Sequence, residues 1–291
     1  RIGRLVFQIL FDKNNVDIVA INDIAPNDAL IYLLKHDTAQ GKWNKNITAK
    51  ENHLLIEGKE IISTAITEPQ YLPWKELNVD IVIECSGRFR DREMLQEHIN
   101  AGAKKVVISA PADKTVKTIV LGINDATLTK EDTILSNASC TTNCASPMLK
   151  VLNDNWGIEY AFVNTVHSYT GDQRLHDAPH KDLRRARAAA VSIIPTTTGA
   201  GKAISKIFPH LEGKIGGCGM RVPVPDGSLT DITCVLTHTP TVADINLAFK
   251  QASENSLMGI LQYTEDPIVG VDVIGNSHSV LFDAEFTSVV G

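Results

Sequence analysis

Val79-Asp80-Ile81-Val82-Ile83 and Val106-Val107-Ile108 are short apolar runs, and the helix-like stretch Arg92 to Ala101 lies between them. Strand, helix, strand in that order predicts parallel neighbours, because the helical crossover lets the second strand run in the same direction as the first. Toward the N-terminus, Val16 to Ile21 is another nearly continuous apolar run, as a strand buried on both faces would be. Ile2, Leu5, Val6, Ile9 and Leu10 before it fall at helical spacing. Residues 1–139 therefore predict an α/β domain with a doubly wound parallel sheet.

After about residue 157 the rhythm changes. Tyr160 to Val166 and Leu229 to Thr237 are extended and partly alternating, and Val269 to Ile274 and Ser279 to Phe286 read as further strands. Two helical stretches stand out, Gly199 to Phe208 and Val242 to Ala252, the second capped by Thr241 with Asp244. Residues 140–291 thus predict an α+β catalytic domain with a mixed or antiparallel sheet and helices on one face.

The chain has 291 residues, 43% hydrophobic and 21% charged, an ordinary globular balance with room for two cores. A formal net charge of -6 argues against nucleic acid as the main partner, since phosphate backbones demand a basic footprint. There is no run of about 18 apolar residues, so no membrane span is expected. The five cysteines (Cys85, Cys140, Cys144, Cys218, Cys234) are odd in number and lack a framework spacing. That favours reduced thiols in a cytoplasmic protein, and no Cys/His set completes a zinc site. The sequence opens at Arg1, inside a helix start, and stops after the strand-like Phe286 to Val290. Both ends read as cut.

Gly3 and Asp23 frame a possible cofactor site. Asp23 follows the strand ending at Ile21 and lies about 20 residues after Gly3, the distance from a Rossmann-type dinucleotide fingerprint to the acid that binds an adenosine ribose. A carboxylate there would accept from the ribose hydroxyls and repel a 2′-phosphate, favouring NAD over NADP. An ordinary turn or cap role for Asp23 competes with that reading.

The join between the halves carries the strongest chemical signal. Ser139-Cys140-Thr141-Thr142-Asn143-Cys144 follows strand-like Thr133 to Leu135 and precedes a helix-like run. A cysteine in the first turn of a helix meets unpaired N–H groups and the positive end of the helix dipole, which favour the reactive thiolate. Its hydroxyl neighbours could bind an oxyanion or a phosphate. A buried cap cysteine is the competing reading, and Cys144, one turn on, reads as core. Of the nine histidines, His167 is the best-placed base, because it ends a strand-like run and opens polar Ser168 to Asp172; His176 and His180 read as loop residues.

Ser139-Cys140-Thr141-Thr142-Asn143 resembles the active-site signature of the glyceraldehyde-3-phosphate dehydrogenases. His167-Ser168-Tyr169-Thr170 is similar to that family's base segment. Arg184 to Ala190, Thr197-Thr198-Gly199-Ala200 and Met220-Arg221-Val222-Pro223 follow in family order, and Arg1-Ile2-Gly3-Arg4 resembles the tail of its cofactor fingerprint. The resemblance implies phosphorylating oxidation of glyceraldehyde 3-phosphate with NAD and inorganic phosphate, through a thioester on Cys140 with His167 as base. It implies Thr170 and Arg221 on the substrate phosphate; Ser139, Thr141, Thr198 and Gly199 on the attacking phosphate; and Arg185 near both. For NAD it implies Arg1 and Ile2 by the pyrophosphate, Asp23 on the ribose, and Ser109 on the nicotinamide side.

The same resemblance implies a homotetramer with a subunit contact around Ser168 to Arg187. It also implies a first strand and a C-terminal return helix outside this sequence, so that these residues alone are expected to fold poorly and to be nearly inactive. Thr67 before Glu68-Pro69 departs from the family's frequent basic residue and is expected to loosen adenine binding. The alternatives are erythrose-4-phosphate dehydrogenase, another acyl-thioester dehydrogenase, and a binding protein that kept the fold without the chemistry. Tyr169 and Thr170 fit the glyceraldehyde enzyme better.

Overall fold

The structure is a computed structural model that describes residues 1–290. The chain forms two compact units, one of Arg1–Thr118 with Thr129–Asn137, the other of Ile119–Leu128 with the chain from Ala138 onward.

The first unit begins with α1 (Ile2–Phe11), β1 (Ala20–Asn22) and α2 (Asn27–Lys35), followed by the short pair β2 (His36–Asp37) and β3 (Gly41–Lys42). A meander of β4 (Ile47–Lys50), β5 (His53–Ile56) and β6 (Lys59–Thr64) comes next, and β6 pairs parallel with β1 in the order β1-β6-β5-β4. Then β7 (Ile81–Glu84), α3 (Arg92–Asn100), β8 (Lys105–Ile108), β9 (Lys117–Thr118) and β10 (Ile134–Ser136) build an all-parallel sheet, ordered β7-β8-β10-β9.

The β7-α3-β8 crossover is the one predicted from its apolar runs. Asp91 caps α3 by accepting from the Met94 N–H at 2.9 Å. Gly102 closes the helix at φ +112, where a Cβ would sit 2.6 Å from the Lys75 backbone, so only glycine fits. Each sheet has its own core: Leu95, Val106, Ile108 and Ile134 for the parallel sheet, and Leu54, Ile56 and Ile61 for the other.

Two expectations for this unit change. Only the end of the Val16 to Ile21 run pairs as a strand, and Val16 and Val19 are exposed rather than covered. Ile81 and Ile83 are likewise exposed while Val82 and Glu84 are buried. Val16 and Val19 precede the paired residues of β1, and Ile81 and Ile83 share the face of β7 opposite the one that Val82 and Glu84 bury.

The second unit opens with α4 (Cys140–Trp156) and the long β11 (Ile158–Ser168), then β12 (Ile194–Thr196), α5 (Ala200–Ile207), β13 (Ile215–Val222), β14 (Leu229–Leu236), α6 (Val242–Glu254), β15 (Leu261–Thr264) and β16 (Val280–Asp283). Its main sheet is mixed, ordered β12-β13-β11-β14, with only β11 and β13 parallel. Residues of α4, α5 and α6 meet the sheet in one core, where Leu149, Val163, Ile204 and Phe249 are almost fully buried, each contributing about 2 kcal/mol of apolar burial. The Thr241–Asp244 capping box is present. The strand expected over Val269 to Ile274 is instead a 3-10 turn at Gly270–Val273, because the Asp272 carboxylate accepts from the Val269 N–H at 2.7 Å and closes the chain on itself. The strand expected over Ser279 to Phe286 stops at Asp283, where the Asp283 side chain accepts from the Glu285 N–H and starts another short turn.

Candidate active site

Ala138 enters α4 in the left-handed region, at φ +58, a conformation that costs a non-glycine residue of order 1 kcal/mol and persists only where the surroundings enforce it. Ser139 is the N-cap: its Oγ accepts from the Thr142 N–H at 3.1 Å and lies 2.8 Å from Thr142 Oγ1. Cys140 is therefore the first residue of the helix, in a first turn that contains no acidic side chain. An anion at its sulfur faces the positive end of the helix dipole.

The base is in reach. His167 is near the end of β11, and its Nε2 lies 3.1 Å from Cys140 Sγ. Its Nδ1 is 2.7 Å from the Ser168 carbonyl oxygen. A carbonyl only accepts, so Nδ1 carries a proton, and in the neutral ring Nε2 offers its lone pair to the thiol. Burial by itself pushes the Cys140 thiol up; the hydrogen bond and charge of His167, with the Thr141 N–H and hydroxyl, outweigh it and hold the thiol below its ordinary value. Cys144, one turn along, has its thiol pushed up by burial. The same helix thus carries one activated cysteine and one inert one.

Across the parallel pair β11–β13, Arg221 is the register partner of His167. Its Nη1 donates to Thr170 Oγ1 at 2.9 Å and to the Ser168 carbonyl at 3.2 Å. Burial and the like charge of Arg185 both disfavour the Arg221 cation, while the Cys140 thiolate and Asp172 support it. Two mutually repelling guanidinium groups are stabilised by an anion placed between them. Arg185 itself is held by Asp172 at 2.6 Å and Thr196 Oγ1 at 3.1 Å.

Of the other candidates in this unit, Thr141 is buried with its N–H and hydroxyl on the Cys140 sulfur, and the Ser139 hydroxyl serves the cap. Thr198 and Gly199 lead into α5, whose N-cap Gly199 brings no side-chain cap. Sequence reasoning missed two participants. Asp172 reads in the sequence only as the end of the polar stretch Ser168 to Asp172. The Ser168 carbonyl, a backbone group, leaves no signal in residue types.

The cofactor candidates lie in the first unit. Among them, α1 starts with no side-chain cap and no acid in its first turn, so its N–H groups suit an anion. Gly3 lies so close to Cys85 that a Cβ there would come within 3.1 Å of the Cys85 Cβ. Asp23 ends the β1 segment with Oδ1 accepting from the Ala25 N–H at 3.0 Å, and Ile2 is exposed. The Ser109 N–H donates to the Glu84 carbonyl at 2.9 Å. The Arg1 guanidinium is forked onto Asp37 at 2.9 and 3.0 Å. Bare helix N–H groups, a close-packed glycine and a carboxylate after the next strand together fit a dinucleotide.

Residues 1–92 match the family described as glyceraldehyde 3-phosphate dehydrogenase, NAD binding domain, and residues 139–291 match the C-terminal domain of the same enzyme. The chain belongs to the glyceraldehyde-3-phosphate dehydrogenase family. It is similar to the glyceraldehyde-3-phosphate dehydrogenase of Clostridium acetobutylicum, 49% identical over all of this chain and 86% of the relative. It is also similar to that of Borreliella burgdorferi, 49% identical over all of this chain and 88% of the relative, and to that of Geobacillus stearothermophilus, 48% identical over all of this chain and 87% of the relative. The second unit brings the Cys140 thiol, the His167 imidazole and the Arg221 guanidinium together. No helix among the described residues is long and apolar enough to cross a membrane.

Proposed function

We propose that this chain oxidises glyceraldehyde 3-phosphate with NAD and inorganic phosphate to 1,3-bisphosphoglycerate and NADH. The observation that carries the reading is the 3.1 Å contact between Cys140 Sγ and His167 Nε2 at the start of α4. His167 takes the thiol proton, and the Cys140 thiolate attacks the aldehyde carbon. The Nε2–H then steadies the oxyanion of the thiohemiacetal, helped by the first-turn N–H groups of α4, and passes its proton to it; the neutral Nε2 takes that hydroxyl proton back as the hydride leaves and the carbonyl re-forms. Bound NAD supplies the hydride acceptor. Cys140 holds the resulting acyl group as a thioester until phosphate attacks the carbonyl carbon, and it leaves as the thiolate that His167 and α4 stabilise.

Thr170 and Arg221 hold the phosphate of the substrate. Ser139, Thr141, Thr198 and Gly199 receive the attacking phosphate, with Arg185 serving both. In the first unit, Arg1 and Ile2 lie by the pyrophosphate through the start of α1, Asp23 binds the ribose, and Ser109 faces the nicotinamide side. The enzyme works as a cytoplasmic homotetramer; exposed Leu175 and Leu183 support a subunit contact over Ser168 to Arg187, and five free thiols suit a reducing compartment. Light scattering of the purified protein tests the assembly, and a monomer would contradict it.

The test of the reaction is NADH formation from glyceraldehyde 3-phosphate with and without inorganic phosphate, beside Cys140→Ser. Turnover that requires phosphate and disappears in the variant supports the reading. Turnover indifferent to phosphate removes the assignment of Ser139, Thr141, Thr198 and Gly199, and activity in Cys140→Ser removes the nucleophile.

A further inference from the structure

Glu84 and His98 are the buried carboxylate and imidazole of the first unit, 7% and 3% exposed, and the chemistry of the second unit does not use them. They form a chain of contacts with one buried tryptophan. The Trp74 Nε1–H donates to His98 Nδ1 at 3.1 Å. An indole N–H only donates, so Nδ1 carries the lone pair and the imidazole proton sits on Nε2. Nε2 lies 3.3 Å from Glu84 Oε2, an ion-pair contact whose geometry is not that of a hydrogen bond, and meets no other acceptor among the described residues. Glu84 Oε1 accepts from the Ser86 N–H at 2.6 Å. Burial raises the Glu84 carboxyl, but His98 and the hydrogen bonds of Ser86 more than offset it and keep it below the ordinary range, so it stays an acceptor on both oxygens.

The other end of this chain is a turn. Glu84 ends β7, and the turn at Ser86 and Gly87 leaves the carboxyl end of that parallel strand, the end where open α/β sheets take their ligands. Gly87 has φ +69, Ser86 Oγ accepts from the Arg88 N–H at 3.1 Å, and the Gly87 carbonyl accepts from Arg90 Nε at 2.8 Å. The Glu84 carbonyl accepts from the Ser109 N–H, and Cys85 touches Gly3 at the start of α1. The turn that the buried pair fixes therefore borders the residues assigned to the cofactor.

We propose that Glu84 and His98 are positioning residues of the dinucleotide site, fixing the Ser86-Gly87 turn so that its backbone helps to hold NAD. The proposal rests on the reading that α1, Asp23 and Ser109 form that site. The residue types are specific to the task. The Ser86 N–H donates to one Glu84 oxygen and the His98 Nε2–H faces the other, an arrangement that suits a carboxylate. A glutamine has one acceptor oxygen and must present its own N–H groups to the other donor. His98 accepts from Trp74 and presents its Nε2–H to Glu84. Glutamine at 98 keeps both functions, whereas asparagine is too short to reach Glu84.

The experiment is calorimetric titration of the whole protein with NAD, without substrate, for Glu84→Gln, His98→Gln and His98→Asn. Asp23→Ala serves as the control on the site, and the alkylation rate of Cys140 as the control on the second unit. The expected result is a Kd about tenfold weaker for Glu84→Gln and His98→Asn, the consequence of one unsatisfied buried partner, with His98→Gln close to the parent and Cys140 alkylation unchanged. If Glu84→Gln does not fold, the His98→Gln and His98→Asn pair decides. Parental NAD affinity in Glu84→Gln and His98→Asn, with affinity lost in Asp23→Ala, overturns the positioning role and leaves the cofactor site standing. Parental affinity in Asp23→Ala as well overturns the cofactor reading and the proposal with it.

Discussion

His167 and Arg221 are register partners on adjacent parallel strands, and both donate to the Ser168 carbonyl, at 2.7 and 3.2 Å. One backbone oxygen therefore sets the tautomer of His167 and the pose of Arg221. The Arg221 fork also reaches Thr170 Oγ1. A lysine keeps the charge but not two fixed donors. Arg221→Lys is expected to raise the KM for glyceraldehyde 3-phosphate about tenfold, ~1.4 kcal/mol of binding, with a smaller change in kcat. Steady-state kinetics at saturating NAD check it; an unchanged KM would place the substrate phosphate elsewhere.

The His167 contact makes a pH prediction with a definite sign. Because His167 holds the Cys140 thiol below its ordinary value, thiolate persists at pH values where a free cysteine is protonated. In His167→Asn that advantage is lost and the thiol titrates higher. The midpoint of iodoacetamide inactivation against pH is expected to move upward, and kcat to fall by about 10²- to 10⁴-fold. A midpoint that stays in place would mean that α4 and Thr141 alone activate the sulfur.

Much of this was legible in the residues, and the rest was hidden for physical reasons. Cys140 at the helix start and His167 at a strand end follow from side-chain preferences and periodicity, whereas Ser139 as the cap emerges only from the structure. The crossover from β7 to β8 follows from its apolar runs. The exposure of Val16, Val19, Ile81 and Ile83 was not legible, because which residues of an apolar run pair, and which face of a strand is packed, is settled by tertiary contacts. The Gly270–Val273 turn was missed because Asp272 competes locally for the backbone N–H that a strand would pair across a sheet. The meander β4-β5-β6 alternates weakly among charged residues, and the register that places Arg221 opposite His167 has no local signature.

Asp172 anchors Arg185 at 2.6 Å, and it also lies 3.7 Å from His180 Nε2. Asp172→Asn keeps the shape and removes the charge that orients the guanidinium. The expected outcome is a KM for inorganic phosphate raised about threefold to tenfold, with the KM for NAD unchanged. An unaltered phosphate KM would separate Arg185 from the attacking phosphate.

Asp37 governs an acid-sensitive contact in the first unit. The hydrogen bond from Arg1, foremost, with the Gln40 and Ala39 N–H groups holds its carboxyl far below the usual range despite partial burial. The folded chain therefore keeps Asp37 ionised at pH values where the unfolded chain has taken up the proton. The resulting stability is full above about pH 4 and is lost as the pH falls below it. In Asp37→Asn the melting temperature is expected to be lower than the parent near neutrality and to converge with it in acid. Parallel melting curves across that range would show that the pair contributes nothing.

The central claim is that Cys140 carries the acyl group between oxidation and phosphate attack. The most direct measurement is intact-protein mass spectrometry after mixing enzyme, NAD and glyceraldehyde 3-phosphate without inorganic phosphate, followed by peptide mapping. The account expects a burst of NADH and an acyl adduct that fragmentation of the shared peptide places on Cys140 rather than Cys144, discharged when phosphate is added. NADH released in a burst with no adduct, or an adduct on Cys144, would contradict it.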